Sequence, residues 1–164
     1  MKGERSRRLI LGLRGISTAV DIQGDGPAIL FVHGFPMDRT LWHHQMAAMR
    51  GWRRIAPDLR GMGLTEVADR YSMAEYADDM ASLMDVLGAS QAIVCGLSMG
   101  GYIAFEILRR HRKRVRALIL SNTRAGADSG EGRANRDAMI DTVKVDGPAA
   151  VAEILVPKLL GPSS

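Results

Sequence analysis

Short continuous apolar runs alternate along this chain with longer stretches in which apolar residues recur every three or four positions. Ala28-Ile29-Leu30-Phe31-Val32 and the run at 91–95 read as strands buried on both faces, as in a parallel sheet. Met73, Tyr76, Ala77, Met80, Leu83, Met84 and Leu87 fall on one face of a helix, and the methionines read as core filling. Ser72, with Glu75 three residues on, forms a capping box at its start, and Gly88 marks its end. The whole pattern predicts strands near 7–14, 16–22, 28–33, 52–57, 91–95 and 115–121, and helices near 39–49, 73–87, 98–111, 132–144 and 148–160. The order β-β-β-α-β-α-β-α-β-α-α predicts an α/β fold with a mostly parallel sheet of about six strands flanked by helices.

Two turns in this pattern carry chemistry. Gly96-Leu97-Ser98-Met99-Gly100-Gly101 lies between a predicted strand and a predicted helix and matches G-x-S-x-G, the nucleophile-elbow pattern. A serine held in a sharp turn brings backbone close on both sides, so Gly96 and Gly100 must lack side chains. Its hydroxyl then sits over a helix N-terminus, where partial positive charge favours a developing oxyanion. Upstream, His33-Gly34-Phe35-Pro36 follows the strand at 28–33. The backbone N–H of Phe35 there, with that of Met99, would form the oxyanion hole.

With these motifs, the segments Met37-Asp38, Trp42, Ala56-Pro57-Asp58-Leu59-Arg60-Gly61-Met62-Gly63 and Val115-Arg116-Ala117-Leu118-Ile119-Leu120-Ser121-Asn122 follow in order. The chain resembles the N-terminal part of an α/β-hydrolase, nearest the enol-lactonase, perhydrolase and small-esterase branch, over about residues 16 to 124. The resemblance implies a cofactor-free serine hydrolase that takes a small-molecule ester or lactone through a Ser98 acyl-enzyme. It also implies that His33 and the Asp58–Arg60 loop are structural. Serine at the elbow argues against the epoxide-hydrolase and dehalogenase branches, which place aspartate there.

The family's acid and histidine follow the serine in chain order, and here the chain departs from it. The single histidine after Ser98 is His111, about 20 Å away at the far end of the elbow's helix. His43 and His44 are the remaining candidates for the base. Asn122 stands where the resemblance places an acid, and Asp128 lies in the glycine-rich loop beyond. General base and acid are therefore unassigned. The 164 residues divide into a truncated hydrolase core at 1–124 and a cap-like helical segment at 125–164. This organisation suggests a catalytically incomplete fragment, or one completed by assembly, as the alternative to an active esterase.

Composition narrows the partners. Hydrophobic residues make up 46% and charged residues 24%, a globular profile, and no apolar run reaches the roughly 18 residues of a membrane span. The basic N-terminus is a poor signal peptide. One cysteine, Cys95, excludes an intrachain disulfide and reads as a core residue. These features favour the cytoplasm and no membrane. The net charge of +4 concentrates at the N-terminus and at 109–116, a helix end where cations oppose the dipole. With eight Phe, Trp and Tyr residues in all and none interleaved with that cluster, nucleic-acid binding is not expected. No Cys/His cluster has metal-ligand spacing and no G-x-G-x-x-G follows a strand, so neither metal nor cofactor is expected. The apolar strand at 115–121 would form an exposed sheet edge, which predicts a homo-oligomer, a dimer or higher.

Overall fold

The computed structural model describes residues 6–159. Six strands form one sheet: β1 Arg7–Leu13, β2 Ile16–Gln23, β3 Ala28–Val32, β4 Arg53–Pro57, β5 Ala92–Leu97 and β6 Val115–Ser121. Their order is β1-β2-β4-β3-β5-β6. β1 and β2 pair antiparallel, as do β2 and β4, and β4, β3, β5 and β6 run parallel. The helices are α1 His43–Ala48, α2 Met73–Val86, α3 Met99–Arg110, α4 Gly130–Asp146 and α5 Pro148–Leu159. Residue 160, where the sequence reading ends the last helix, lies outside the described residues.

β3 shows why the central strands read as continuous apolar runs. Leu30 and Val32 enter a core formed with Tyr76, Ala77, Met80, Leu83 and Met84 of α2 and Ile103, Ala104 and Ile107 of α3. Ile29 and Phe31 point the other way and pack with Trp42, Met46, Ala56 and Cys95. Side chains alternate across a strand, so a strand with a core on each face has no polar side to show. Burial on the second face pushes the Cys95 thiol up to about 11, which keeps it a protonated core residue.

Two boundaries and one burial pattern depart from the sequence reading in ways that bear on the site. The helix expected over 39–49 begins as a 3₁₀ turn, Arg39–Trp42, and becomes α-helical only at His43. Asp38 caps the turn by accepting from the Thr40 N–H at 2.8 Å, while the Arg39 guanidinium is drawn into the interior. β5 runs two residues past the expected end because its parallel pairing with β6 continues to Leu97 opposite Ser121. On β6 the expected exposed edge holds at Ile119 and Leu120, each 42% exposed, but Val115 is buried because it belongs to the α2–α3 core.

The cap of α2 forms by half of the expected box. Ser72 Oγ accepts from the Glu75 N–H at 3.1 Å, while the Glu75 carboxylate turns to Arg14, 3.0 Å away. Gly88 and Ala89 close the other end with N–H donations to Asp85 and Met84, the Schellman arrangement.

Between α2 and α3, Asp78 receives the Arg110 guanidinium through two hydrogen bonds, at 3.0 and 2.8 Å, and lies 2.7 Å from His111 Nε2. The Arg110 hydrogen bonds, then those of His111 and the charge of Arg14, hold its carboxyl down at about 2 against the opposing effect of burial. A carboxylate whose pKa falls on folding adds stability that is full above the unfolded value, near 3.8, and is lost as pH drops toward the folded one. Asp78→Asn is therefore expected to be less stable than the parent at pH 6 and to converge on it between about pH 4 and pH 2. Urea midpoints across that range test this, and a constant gap between the two proteins would refute it.

The chain forms two compact units, one up to Ala125 and a second from Gly126. In the second, Ser129 caps α4 by accepting from the Gly132 N–H at 3.1 Å, and Arg136 bonds Asp128. Gly147, at φ +81°, separates α4 from α5.

Candidate active site

β5 delivers Ser98 to the start of α3 in a conformation few non-glycine residues adopt, φ 51° and ψ −115°. Such backbone costs on the order of 1–3 kcal/mol and persists only where the surroundings enforce it. Ser98 N–H donates to the Ser121 carbonyl at the end of β6, 2.9 Å away. The Ser98 carbonyl accepts from Gly101 N–H at 2.9 Å and from Thr123 Oγ1 at 2.8 Å. The elbow glycines are explained by contact. A Cβ on Gly96 would collide with the Gly100 carbonyl, and one on Gly100 with the Val32 carbonyl.

The turn after β3 abuts this elbow. A Cβ on Gly34 would stand 3.2 Å from Ser98 Cβ and 3.1 Å from the Leu97 carbonyl, so Phe35 follows directly beside the serine. Met99 opens α3, and the first N–H groups of a helix have no intrahelical acceptor. The three residues expected to act together, Ser98, Phe35 and Met99, are thus brought to one place, at the C-terminal ends of β3 and β5.

The histidines are placed elsewhere or committed. His33 is fully buried. Its Nε2 accepts from Leu59 N–H at 3.0 Å and its Nδ1 donates to the Gly34 carbonyl at 3.0 Å. This is the neutral Nδ1–H tautomer. Burial pushes its pKa down, outweighing the Gly34 hydrogen bond and the charges of Asp58 and Asp38. His33 therefore ties the Phe35 turn to the loop after β4. His43 Nε2 lies 3.4 Å from Asp21 on β2, three strand positions from β5, or about 14 Å. His44 is exposed on the same short helix. His111 is the C-cap of α3 and pairs with Asp78. Asn122 follows β6 at φ +44° and is exposed, and Asp128 pairs with Arg136 in the second unit.

Asp58 and Arg60 are structural. Asp58, fully buried, accepts from the Arg39 N–H and the Leu64 N–H, each at 2.7 Å, and from the Arg39 guanidinium at 2.5 Å. Arg60 forks onto Asp79 with two bonds of 2.7 Å and donates to the Arg70 carbonyl. Thr123 and Arg39 went unmarked in the sequence. Both act through partners many positions away, Ser98 for the first and Asp58 and Asp21 for the second.

Among the described residues no cluster of His, Cys, Asp or Glu could hold a metal, and no helix is long and apolar enough to cross a membrane.

Comparison with known proteins agrees with this architecture. An esterase from Thermogutta terrifontis, solved with malate bound, superposes with a TM-score of 0.82 at 39% identity, covering 93% of this chain and 58% of its own. The AB hydrolase superfamily protein YisY of Bacillus subtilis is 33% identical over 150 residues, 85% of this chain and 56% of that protein. Epoxide hydrolase 2 of Siraitia grosvenorii is 35% identical over 121 residues, 71% of this chain and 38% of that protein. The chain thus spans between 38% and 58% of the length of these relatives. The family model for the alpha/beta hydrolase fold matches residues 27–163. With its sheet order, its elbow and this match, the chain belongs to the α/β-hydrolase fold family.

Proposed function

We propose that this hydrolase acts on carboxylic esters or lactones through a Ser98 acyl-enzyme. The strained, braced conformation of Ser98 beside the Phe35 turn is the observation that carries this reading. Ser98 Oγ attacks the carbonyl carbon, the oxyanion takes the Phe35 and Met99 N–H groups, and the alcohol leaves. Water then releases the acid. A serine hydroxyl is a weak nucleophile without a base, and none of the four histidines is in place to serve in the described arrangement, so base and acid stay unassigned. Hydrolysis of 4-nitrophenyl acetate by the 164-residue chain, with Ser98→Ala as control, tests the proposal. An inert protein with an intact fold would favour the second reading, a hydrolase fragment that lacks its base.

The epoxide-hydrolase relatives raise the competing substrate class. A carboxylate that opens an epoxide leaves an ester, which water can cleave, whereas a serine would leave an ether, which it cannot. Ser98 therefore favours the acyl substrate.

We further propose self-association through β6. It is the terminal strand of the sheet and exposes Ile119 and Leu120, and such an edge invites pairing. A dimer or higher assembly is expected at micromolar concentration by size-exclusion chromatography with light scattering. A stable monomer would overturn this.

A further inference from the structure

An apolar cavity of about 410 Å³ opens beside the elbow. Phe35 and Met99, the two residues whose amides would hold the oxyanion, form one wall. Met62, Tyr71, Met73 and Tyr76 form the others. Met62, Met73 and Met99 rest on the α2–α3 core, while Phe35 and Tyr71 are 50% and 49% exposed at the rim. Arg60 also borders the cavity, but its guanidinium is engaged by Asp79 and the Arg70 carbonyl. The wall therefore offers aromatic faces and thioethers, which adapt to varied apolar shapes. Large exposed aromatics around a concave apolar surface mark a ligand site.

We infer that this cavity receives the acyl side of the substrate and selects esters of bulky apolar acids, aromatic or medium-chain, over acetate. The inference rests on the Ser98 acyl-enzyme reading. Its chemistry follows from what each half of an ester needs. The leaving oxygen must collect a proton as the bond to the carbonyl carbon breaks. Among the described residues that line the cavity, the O–H groups are the Tyr71 and Tyr76 phenols and the Ser72 hydroxyl. Tyr71 Oη and Ser72 Oγ accept from the Ala68 and Glu75 N–H groups and keep their protons. Phenols and alcohols are weak acids at neutral pH, an ordinary phenol titrating at about 10, and burial raises Tyr76 further, so this wall holds no group matched to protonating a leaving alkoxide. The acyl carbon chain needs no proton and stays attached to Ser98 through both half-reactions. Size is ample, since a cavity of about 150 Å³ lined by aliphatic and aromatic side chains already binds benzene.

Two isomeric esters separate the possibilities: methyl benzoate carries its ring on the acyl side and phenyl acetate on the alcohol side. Each is titrated into the Ser98→Ala protein labelled with ¹³C at the methionine methyl groups. Methyl benzoate is expected to shift Met62, Met73 and Met99 saturably while Met46, in the core on the opposite sheet face, stays still. Phenyl acetate is expected to do so at least fivefold more weakly. Met73→Trp, which fills the cavity, is expected to weaken methyl benzoate at least tenfold. Tyr71→Ala, which removes a rim wall, is the second variant should that one fail to fold. Equal response to both esters, or no response at these three methionines, would overturn the assignment. Saturable binding to a parent protein that hydrolyses no ester would instead overturn the Ser98 reading and leave the cavity's apolar preference standing.

Discussion

In a parent whose site is completed by its base, Ser98→Ala is expected to lower kcat for ester hydrolysis by about 10⁶ and to abolish burst-phase acylation. That is the order found when a serine hydrolase loses its nucleophile. The elbow itself should survive the change. Its bracing contacts, from Ser121, Gly101 and Thr123, all go to the Ser98 backbone, and alanine keeps the same Cβ. The Phe35 and Met99 amides would remain in place, so residual turnover of roughly 10³–10⁴ over water is expected from the oxyanion site and binding alone. Stopped-flow release of 4-nitrophenol, with the variant's urea midpoint measured alongside, gives both numbers. Ester turnover within tenfold of the parent would remove Ser98 from the mechanism.

What the sequence disclosed and what it withheld divide along the range of the interactions. The elbow was legible because its signal is local: a strand, two glycines and a helix follow one another within residues 92–110, although the contact that excludes a side chain at Gly100 comes from Val32 far upstream. The central strands were legible because burial on both faces erases polar alternation. The Phe35 turn was found for the same local reason. Asp58, by contrast, is read as structural on the family resemblance alone, and its full burial with bonds from Arg39 and Leu64 supplies the physical reason. Thr123 Oγ1 reaches Ser98 across 25 positions, and His33 meets Leu59 across 26. No periodicity encodes such pairings. The helix expected over 39–49 was overextended for a related reason. Its first turn is shaped by Arg39, whose guanidinium is pulled between Asp58 at 2.5 Å and Asp21 at 3.3 Å, and local propensity carries no trace of that pull. The base escapes for a different reason, since the ring bonds of the described histidines go to partners other than Ser98: Leu59 and Gly34 for His33, Asp21 for His43 and Asp78 for His111.

Asp58→Ala is expected to cost the fold about 3–5 kcal/mol, the usual penalty for removing one partner of a buried ion pair. Three hydrogen bonds end at this carboxylate, from the Arg39 backbone, the Arg39 side chain and the Leu64 backbone. Without it, the Arg39 guanidinium, 3% exposed, keeps only Asp21 as a charged partner, and the buried Arg39 N–H and the half-buried Leu64 N–H lose their acceptor. The loss also reaches the candidate site. Arg39 and His33 lie on the segment that carries Phe35, and Asp58 and Leu59 anchor both from the end of β4. Freed of the Asp58 brace, the turn holding the Phe35 amide would sample positions away from the oxyanion. The drop in kcat should therefore exceed any rise in KM, because the amide matters most in the transition state. Asp58→Asn, which keeps the shape and one acceptor oxygen, should recover part of the stability. Urea denaturation of both variants, paired with ester kinetics at a temperature where each remains folded, measures the two effects separately. A loss below 1 kcal/mol for the alanine variant would show that water or Asp21 satisfies Arg39 unaided, and the brace would then have no part in holding the Phe35 turn.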